Sequence, residues 1–171
     1  MSHPVIPRDT AAVLFDAAGT LLQPEPSVGA VYADEAARYG VMADPRALNR
    51  AFSEMWAQRH AERMDPACLD SSEEAERGWW HGFVSDVFEM AARRHLFAGR
   101  FDEYFDHLYE LYASPKVWHV FDDAIPALDE LDALGIPAAV VSNWDSRLHR
   151  LLDAIGIGKR FALVITSAEA G

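Results

Sequence analysis

Three short apolar runs, each followed by polar residues, dominate the hydrophobic pattern of this chain. They cover residues 11–15, 136–141 and 161–165. A wholly apolar run of this length is typical of a strand that is buried on both faces of a parallel sheet. Pro137 stands near the start of the second run, where a strand tolerates proline. We therefore predict three strands of one parallel sheet.

Helical segments lie between the later runs. Residues 124–134 carry apolar side chains at near-helical spacing and end at Gly135, and residues 147–155 form a second short helix that ends at Gly156. Glycine directly after a helix is a common stop because it adopts the left-handed backbone without strain. The order helix, strand, helix, strand predicts parallel strands with right-handed crossovers, and therefore an α/β fold.

The long segment that follows the first strand contains no convincing strand of its own. An apolar stripe at helical period runs over residues 101–112, and Asp44 with Pro45 is a helix-start signal. Structureless loops of this length are uncommon in compact domains, so we predict an all-helical insertion of about four helices. The predicted boundaries are residues 26–113 for the insertion and residues 1–25 with 114–171 for the core.

Composition narrows the classes of function. The chain has 171 residues, half of them hydrophobic, and a formal net charge of −12. Its length allows one domain with an insertion, and its charge disfavours nucleic acid and anionic membranes, although a local site can accept a small anion. No apolar run reaches the roughly 20 residues of a membrane span, and the first ten residues lack a secretion signal, so we expect a cytoplasmic protein. The single cysteine, Cys68, predicts no internal disulfide.

Polar residues directly follow two of the predicted strands. Asp16 to Thr20 come after the first run, and Ser142 and Asn143 come after the second. Ligands of parallel α/β sheets collect beyond the carboxyl ends of the strands, so a parallel sheet can bring these two clusters side by side. A strand-end aspartate can act as a nucleophile or a Mg²⁺ ligand, and Gly19 lets backbone N–H groups approach an anion. The hydroxyl and amide of the second cluster could hold a phosphoryl or carboxylate oxygen.

These stretches resemble motifs of a known enzyme superfamily. Phe-Asp-Ala-Ala-Gly-Thr-Leu-Leu at residues 15–22 resembles the first motif of the haloacid dehalogenase superfamily of hydrolases, and Val-Val-Ser-Asn at residues 140–143 resembles its second. The helical insertion between them is similar to the α-helical cap of that superfamily. The resemblance covers nearly the whole chain, and it implies a Rossmann-like core with an inserted cap.

For the site, the resemblance implies a division of roles. Asp16 would be the nucleophile that forms an aspartyl intermediate, and Asp16 with the backbone carbonyl of Ala18 would hold Mg²⁺. The residues that would bind the substrate are Gly19, Thr20, Ser142 and Asn143, with the serine on a phosphoryl oxygen. The implied reaction is the hydrolysis of a small phosphorylated metabolite, such as a phosphate ester.

Ala18 departs from the pattern of most phosphatases in the superfamily, which carry a second aspartate there as general acid and base. A methyl group cannot transfer a proton, and a positioned acid–base group is worth about 10²–10⁴-fold in rate. Two alternatives therefore stay open: a non-catalytic binding protein that kept the fold, and a dehalogenase of 2-haloacids. In the second case Arg38, Arg59 or Arg63 could neutralise a carboxylate or halide.

The end of the chain is a second departure from the superfamily pattern. Gly171 stands before the positions at which the superfamily carries its third motif, a lysine, and its acidic fourth motif, and Lys159 precedes the third strand. In the superfamily, the strand with the fourth motif lies beside the first strand, so its absence would expose an apolar edge. We expect a fragment that binds Mg²⁺ weakly or not at all, has negligible phosphatase activity by itself, and can self-associate through that edge.

Overall fold

The computed structural model describes residues 6–7, 9–63 and 72–170, except for the side chains of residues 60–63 and 170. The strands are β1 (Val13–Phe15), β2 (Leu22–Pro24), β3 (Trp118–Val120), β4 (Ala138–Ser142) and β5 (Phe161–Thr166). The helices are α1 (Val28–Ala37), α2 (Pro45–Arg63), α3 (Glu73–Met90), α4 (Phe101–Leu111), α5 (Ala124–Leu134), α6 (Arg147–Ile155) and α7 (Ser167–Ala170). No helix in these ranges is both long enough and apolar enough to cross a membrane.

The three predicted strands form one parallel sheet in the order β1–β4–β5. Strands β1 and β4 each begin two residues later than the corresponding apolar run. Strands β4 and β5 each end one residue later, at Ser142 and Thr166. The central strand β4 is the most deeply buried, with Ala138, Ala139 and Val140 almost inaccessible to solvent. The α/β fold is therefore confirmed, and the carboxyl ends of β1 and β4 lie at the same edge of the sheet.

Helices α5 and α6 begin and end at the predicted residues. Gly135 and Gly156 follow them with φ angles of +68° and +91°, in the left-handed region that glycine enters without strain. The two helices bury leucines against the sheet. We call this the sheet cluster; its buried members are Ala17, Leu21, Leu22, Ala124, Leu128, Leu131, Ala138, Val140, Leu148, Leu151, Leu152, Ile157 and Phe161.

A two-stranded antiparallel ribbon, β2–β3, is an element that the sequence pattern does not indicate. Leu22 pairs with Val120, and Pro24 pairs with Trp118. Each strand has three residues, which are too few for alternation to show as a periodic signal. The ribbon brings together the points at which the chain enters and leaves the helical segment.

The described residues from 28 to 111 contain four α-helices, a short 3₁₀ helix and no strand, in line with the predicted helical insertion. Their apolar sides meet in what we call the helical cluster, with the buried members Val31, Tyr32, Ala33, Ala36, Val41, Leu48, Ala51, Phe83, Val84, Val87, Phe88, Phe97, Phe101, Tyr104, Phe105, Leu108, Tyr109 and Val117. Trp118 packs against both clusters. The exact domain boundaries stay a prediction.

Gly29 allows the close approach of α1 and α2. A Cβ atom at this position would lie 2.2 Å from the carbonyl oxygen of Pro45, which is shorter than any real contact. The N–H of Gly29 donates instead to Asn49 Oδ1 at 2.7 Å. The close approach of the first two helices at this point therefore requires a residue without a Cβ atom.

One face of the sheet carries exposed apolar side chains. Leu14, Val141 and Leu163 are exposed by 67%, 46% and 53%. The strand register places Leu14 beside Ala139 and Ala139 beside Leu163, so these side chains share one face, which we call the open face. Helices α5 and α6 pack on the opposite face, and β1 is an edge strand of the described sheet.

Candidate active site

Asp16 and Ser142 meet at the carboxyl ends of β1 and β4. The Ser142 hydroxyl donates a hydrogen bond to Asp16 Oδ1 at 2.7 Å, across a sequence separation of 126 residues. The N–H of Ala17 donates to the same oxygen, also at 2.7 Å. Ser142 is buried and Asp16 is exposed. The structure thus brings the two strand-end clusters together and holds an accessible carboxylate by one of its oxygens.

The turn after Asp16 uses its backbone N–H groups internally. Gly19 has a φ of +82° and donates its N–H to the carbonyl of Leu22 at 2.8 Å. The N–H of Thr20 donates to the carbonyl of Ala17 at 3.3 Å. Contact of either N–H with an anion would therefore require this turn to open.

A cavity of about 540 Å³ lies between the strand ends and the helical segment. This volume falls within the roughly 300–1,000 Å³ that is usual for small-molecule sites. Predicted site residues that line it are Asp16, Ala18, Gly19, Ser142 and Asn143, whereas Thr20 does not. Large aromatic side chains form much of the remaining wall, among them Trp56, Trp80, Phe105, Tyr109, Trp118 and Trp144.

A buried ion pair joins Asp145 to Arg147, and the arginine lines the cavity. Arg147 donates from Nε to Asp145 Oδ1 at 2.8 Å and from Nη2 to Asp145 Oδ2 at 2.6 Å. Its Nη1 donates to the carbonyl of Tyr109 at 2.9 Å, and its guanidinium carbon lies 3.6 Å from the centroid of that ring. The two charged side chains are exposed by only 8% and 2%. Through Arg147, the pair therefore ties the start of α6 to α4 beside the cavity.

Sequence reasoning missed this ion pair, although a signal was present. Asp145 and Arg147 follow Ser142 and Asn143 within five residues, in the same strand-end segment that already predicted a site. What the sequence does not show is their contact with Tyr109, which lies 38 positions earlier. That contact depends on how α4 packs over the strand ends.

Arg38 and Arg59, which could neutralise the carboxylate or halide of a haloacid, do not line the cavity. Arg38 is exposed and pairs with Glu35 at 2.9 Å. Arg59 pairs with Asp86 at 3.1 Å. The Arg63 side chain and Cys68 lie outside the described residues. Among the described residues that line the cavity, Arg147 is the only cation.

Two tyrosines of the cavity wall have phenol groups whose pKa is raised by burial. Burial raises the pKa of Tyr109 and of Tyr112, and the nearby Arg147 guanidinium opposes the rise only in part. Both hydroxyl oxygens are buried, and neither has a hydrogen-bond partner in the part of the chain that the structure describes. Both phenols therefore stay protonated to a higher pH than an ordinary tyrosine.

A group of hydrogen bonds ties the end of β5 to the loop after β4. Ser167 Oγ donates to the carbonyl of Trp144 at 3.1 Å, and Thr166 donates to Glu169 Oε2 from its N–H and its hydroxyl at 3.2 and 3.1 Å. His149 Nε2 lies 2.9 Å from Glu169 Oε1. These contacts, His149 first, lower the pKa of the Glu169 carboxyl. The hydrogen bond from Ser167, which directly follows β5, thus holds the loop that carries Trp144.

The residues present meet only the minimum for a divalent cation. No group of three or more His, Cys, Asp or Glu side chains that could hold a metal ion is found within residues 6–7, 9–63 and 72–170. Mg²⁺ is commonly bound by one or two carboxylates together with waters and substrate phosphate. The exposed Asp16 carboxylate with the backbone carbonyl of Ala18 fits that arrangement, and it does not form a cage that would bind the ion without substrate.

Comparison with known proteins agrees with this fold. The profile of the haloacid dehalogenase-like hydrolase family matches residues 10–171. The chain is 31% identical over 158 residues to haloacid dehalogenase-like hydrolase domain-containing protein 3 of Danio rerio, covering 92% of this chain and 64% of that protein. The chain therefore spans less than two thirds of the length of this relative.

Solved structures show the same fold at low sequence identity. A crystal structure described as that of a dehalogenase has a TM-score of 0.66 at 18% identity, over 96% of this chain and 66% of its own. A "predicted phosphoglycolate phosphatase" of Haemophilus somnus has a TM-score of 0.59 at 16% identity, over 96% and 65%. Because the family profile covers almost the whole chain and both motif segments meet at one cavity, this chain belongs to the haloacid dehalogenase-like hydrolase family.

Proposed function

We propose that this site belongs to a hydrolase that removes the phosphoryl group from a small phosphorylated metabolite through an aspartyl intermediate. The observation that carries the proposal is the Ser142–Asp16 hydrogen bond at the polar end of the cavity. It holds an exposed carboxylate at a strand end, where a substrate in the cavity could reach it. The phosphatase-like solved structures are consistent with this reaction class.

In this mechanism each oxygen of Asp16 has its own role. The hydrogen bonds from Ser142 and Ala17 both reach Oδ1, so we assign the attack on phosphorus to Oδ2. A bond forms from Oδ2 to phosphorus, the bond from phosphorus to the ester oxygen breaks, and the departing oxygen takes up a proton from water. A second water then attacks the phosphorus, the bond between phosphorus and Oδ2 breaks, and phosphate leaves. The proton of the attacking water passes to solvent, and the carboxylate is restored. Asn143, which also lines the cavity, would position a phosphoryl oxygen.

A bound Mg²⁺ would be held by the Asp16 carboxylate and the Ala18 carbonyl, and it would neutralise charge on the phosphoryl oxygens. Ala18 limits the rate, because its methyl group cannot give a proton to the leaving oxygen. A positioned acid is worth about 10²–10⁴-fold, so turnover should be slow with poor leaving groups. For substrates with acidic leaving groups the loss of rate should be smaller, because such leaving groups depart without being protonated.

The test is phosphate release from a panel of phosphate esters, with and without Mg²⁺. It is run on this chain and on any longer protein of the same reading frame that contains it. Asp16→Asn keeps the shape of the side chain and removes the nucleophilic charge, so it should abolish turnover. Ala18→Asp should raise kcat for poor leaving groups by roughly 10–10²-fold. Turnover that Asp16→Asn leaves unchanged would refute the proposal.

Ala18 also favours a second candidate, a non-catalytic protein that binds a phosphorylated ligand in the same cavity. In that case calorimetry would detect binding of a phosphate ester, and neither this chain nor a longer protein that contains it would release phosphate. The dehalogenase alternative has less support, because Arg38 and Arg59 pair elsewhere. Halide release from a 2-haloacid without Mg²⁺ would establish it, and an ion-selective electrode measures that directly.

A further inference from the structure

The cavity has two chemically distinct parts. Its polar end is formed by the strand-end residues around Asp16, Ser142 and Asn143. The rest is formed by side chains of α1 to α4, by Gln23 and Pro24 of β2, and by Tyr112, Trp118, Trp144 and Arg147. The ring centroids of Trp118 and Trp144 lie 5.0 Å apart. Trp144 directly follows Asn143, so the aromatic wall begins next to the polar end. A ligand held at the strand ends must therefore place the rest of its body against aromatic rings.

The charges in the cavity leave no free side-chain cation for a second anionic group on the ligand. Arg147 is the only cation among the described lining residues, and two hydrogen bonds pair it with Asp145. The pair is close to neutral, so it offers no free positive charge to a second anion. Burial of an uncompensated charge is strongly unfavourable. This argues against bisphosphates and nucleoside polyphosphates as ligands of this cavity.

The apolar part also disfavours a body that is rich in hydroxyl groups. The hydroxyls of Tyr109 and Tyr112 are buried within the wall and do not present accessible oxygen to the cavity. Away from the strand ends, Gln23 is the one amide side chain among the described residues that line the cavity. A sugar with several hydroxyls would keep most of them without partners against this wall, and each unpaired hydroxyl costs roughly 10-fold or more in affinity. Aromatic rings, by contrast, pack well against other rings in edge and offset geometries.

We propose that the ligand of this cavity is a phosphate monoester whose single anionic head is joined to a bulky, apolar and aromatic body. The inference deepens the proposed function and rests on it for the position of the phosphate at Asp16, Ser142 and Asn143. The aromatic wall selects the body, and the neutral Asp145–Arg147 pair rejects a second charge.

The test is calorimetric binding of a matched ligand series to the native chain with Mg²⁺ present. The probes are 1-naphthylmethylphosphonate, methylphosphonate, glucose 6-phosphate and fructose 1,6-bisphosphate; the two phosphonates resist hydrolysis because their phosphorus is bonded to carbon. The naphthyl compound should bind at least 10-fold more tightly than each of the others. Equal affinity across the series, tighter binding of a sugar phosphate, or no binding by any probe would overturn the inference.

A pair of tryptophan variants locates the selectivity in the cavity. Trp144→Ala should weaken the naphthyl compound about 10-fold and leave methylphosphonate unchanged. Trp79→Ala is the matched control, because Trp79 neighbours Trp80 but does not line the cavity, and it should change neither affinity. An equal loss for both ligands in Trp144→Ala would contradict the assignment. If either variant fails to fold, the native ligand series still decides.

Failure of this inference and failure of the proposed function give different results. Selective binding of the naphthyl compound without any phosphate release would uphold the ligand class and refute the hydrolase. Asp16-dependent release from sugar phosphates, without preference for the naphthyl probe, would uphold the hydrolase and refute the ligand class.

Discussion

The helical cluster and the sheet cluster bury apolar residues in different ways. In the helical cluster, Phe88 lies among the rings of Tyr32, Phe97, Phe101 and Tyr104, with centroid distances of 5.2 to 6.3 Å. The sheet cluster is mostly aliphatic, and its helices cover one face of the sheet. The open face of that sheet keeps large side chains in solvent.

The difference follows from the geometry of helices and sheets. A helix needs only one stripe covered, so four helices can cover one another. A sheet has two faces, and a parallel sheet normally has helices on both. The cavity lies where the two regions meet. Asp16, Ser142 and Asn143 come from the strand ends of the sheet, and the aromatic walls come mainly from the helices.

The largest expected effect tests the aromatic packing of the helical cluster. Phe88→Ala should lower the free energy of unfolding by about 3–5 kcal/mol, because it leaves a cavity among four rings. Leu163→Ala on the open face is the control and should stay within about 0.5 kcal/mol. Urea unfolding followed by circular dichroism measures both. Equal costs at the two positions would contradict the contrast between the regions.

The next effect tests the ion pair that joins the two regions. Asp145→Ala leaves the buried Arg147 guanidinium without its partner and should cost about 3 kcal/mol. The double variant Asp145→Leu with Arg147→Met removes both charges and should cost clearly less than the single variant. Chemical denaturation of the native chain and both variants gives the comparison. A double variant as unstable as Asp145→Ala would show that packing, rather than charge, dominates here.

A smaller effect concerns the open face and edge strand β1. Leu14→Lys with Leu163→Lys should leave the unfolding free energy within about 1 kcal/mol, because both side chains are largely exposed. If the chain self-associates through this surface, the double variant should shift its sedimentation toward the monomer. Met42→Lys, at a position 75% exposed in the helical segment, is the matched control. A native chain that is monomeric at every concentration would rule out the association.

The smallest effect is the pH dependence that comes from Glu169. Its carboxyl has a folded-state pKa below the ordinary 4.5, so its contribution to stability is present above that value. The contribution is lost as pH falls from 4.5 through the lowered folded-state value. Because Glu169 is 45% exposed, we expect less than about 1 kcal/mol. The free energies of unfolding of the native chain and of Glu169→Gln, measured as a function of pH, should converge at the acidic end. A difference that stays constant with pH would contradict this origin.

The sequence pattern predicted the elements that carry a strong local signal. The bounds of α5 and α6 were predicted to the residue. Apolar spacing defines the extent of each helix, and a glycine directly follows its last residue. The pattern did not predict strands β2 and β3, because a strand of three residues is too short to show a period. For the site, Asp16 and Ser142 could be predicted together, since parallel pairing makes their strand ends neighbours.

The sequence by itself determined the α/β fold, the helical insertion and the two polar strand ends, because each depends on local periodicity and on residues that directly follow a strand. Only the tertiary structure decided that Arg147 reaches the carbonyl of Tyr109 and that Trp118 and Trp144 face one cavity. These contacts join residues far apart in the chain, and their geometry depends on how α4 and the ribbon pack over the sheet. Local pattern carries no information on that packing, since the same apolar side chain can serve a core or a cavity wall.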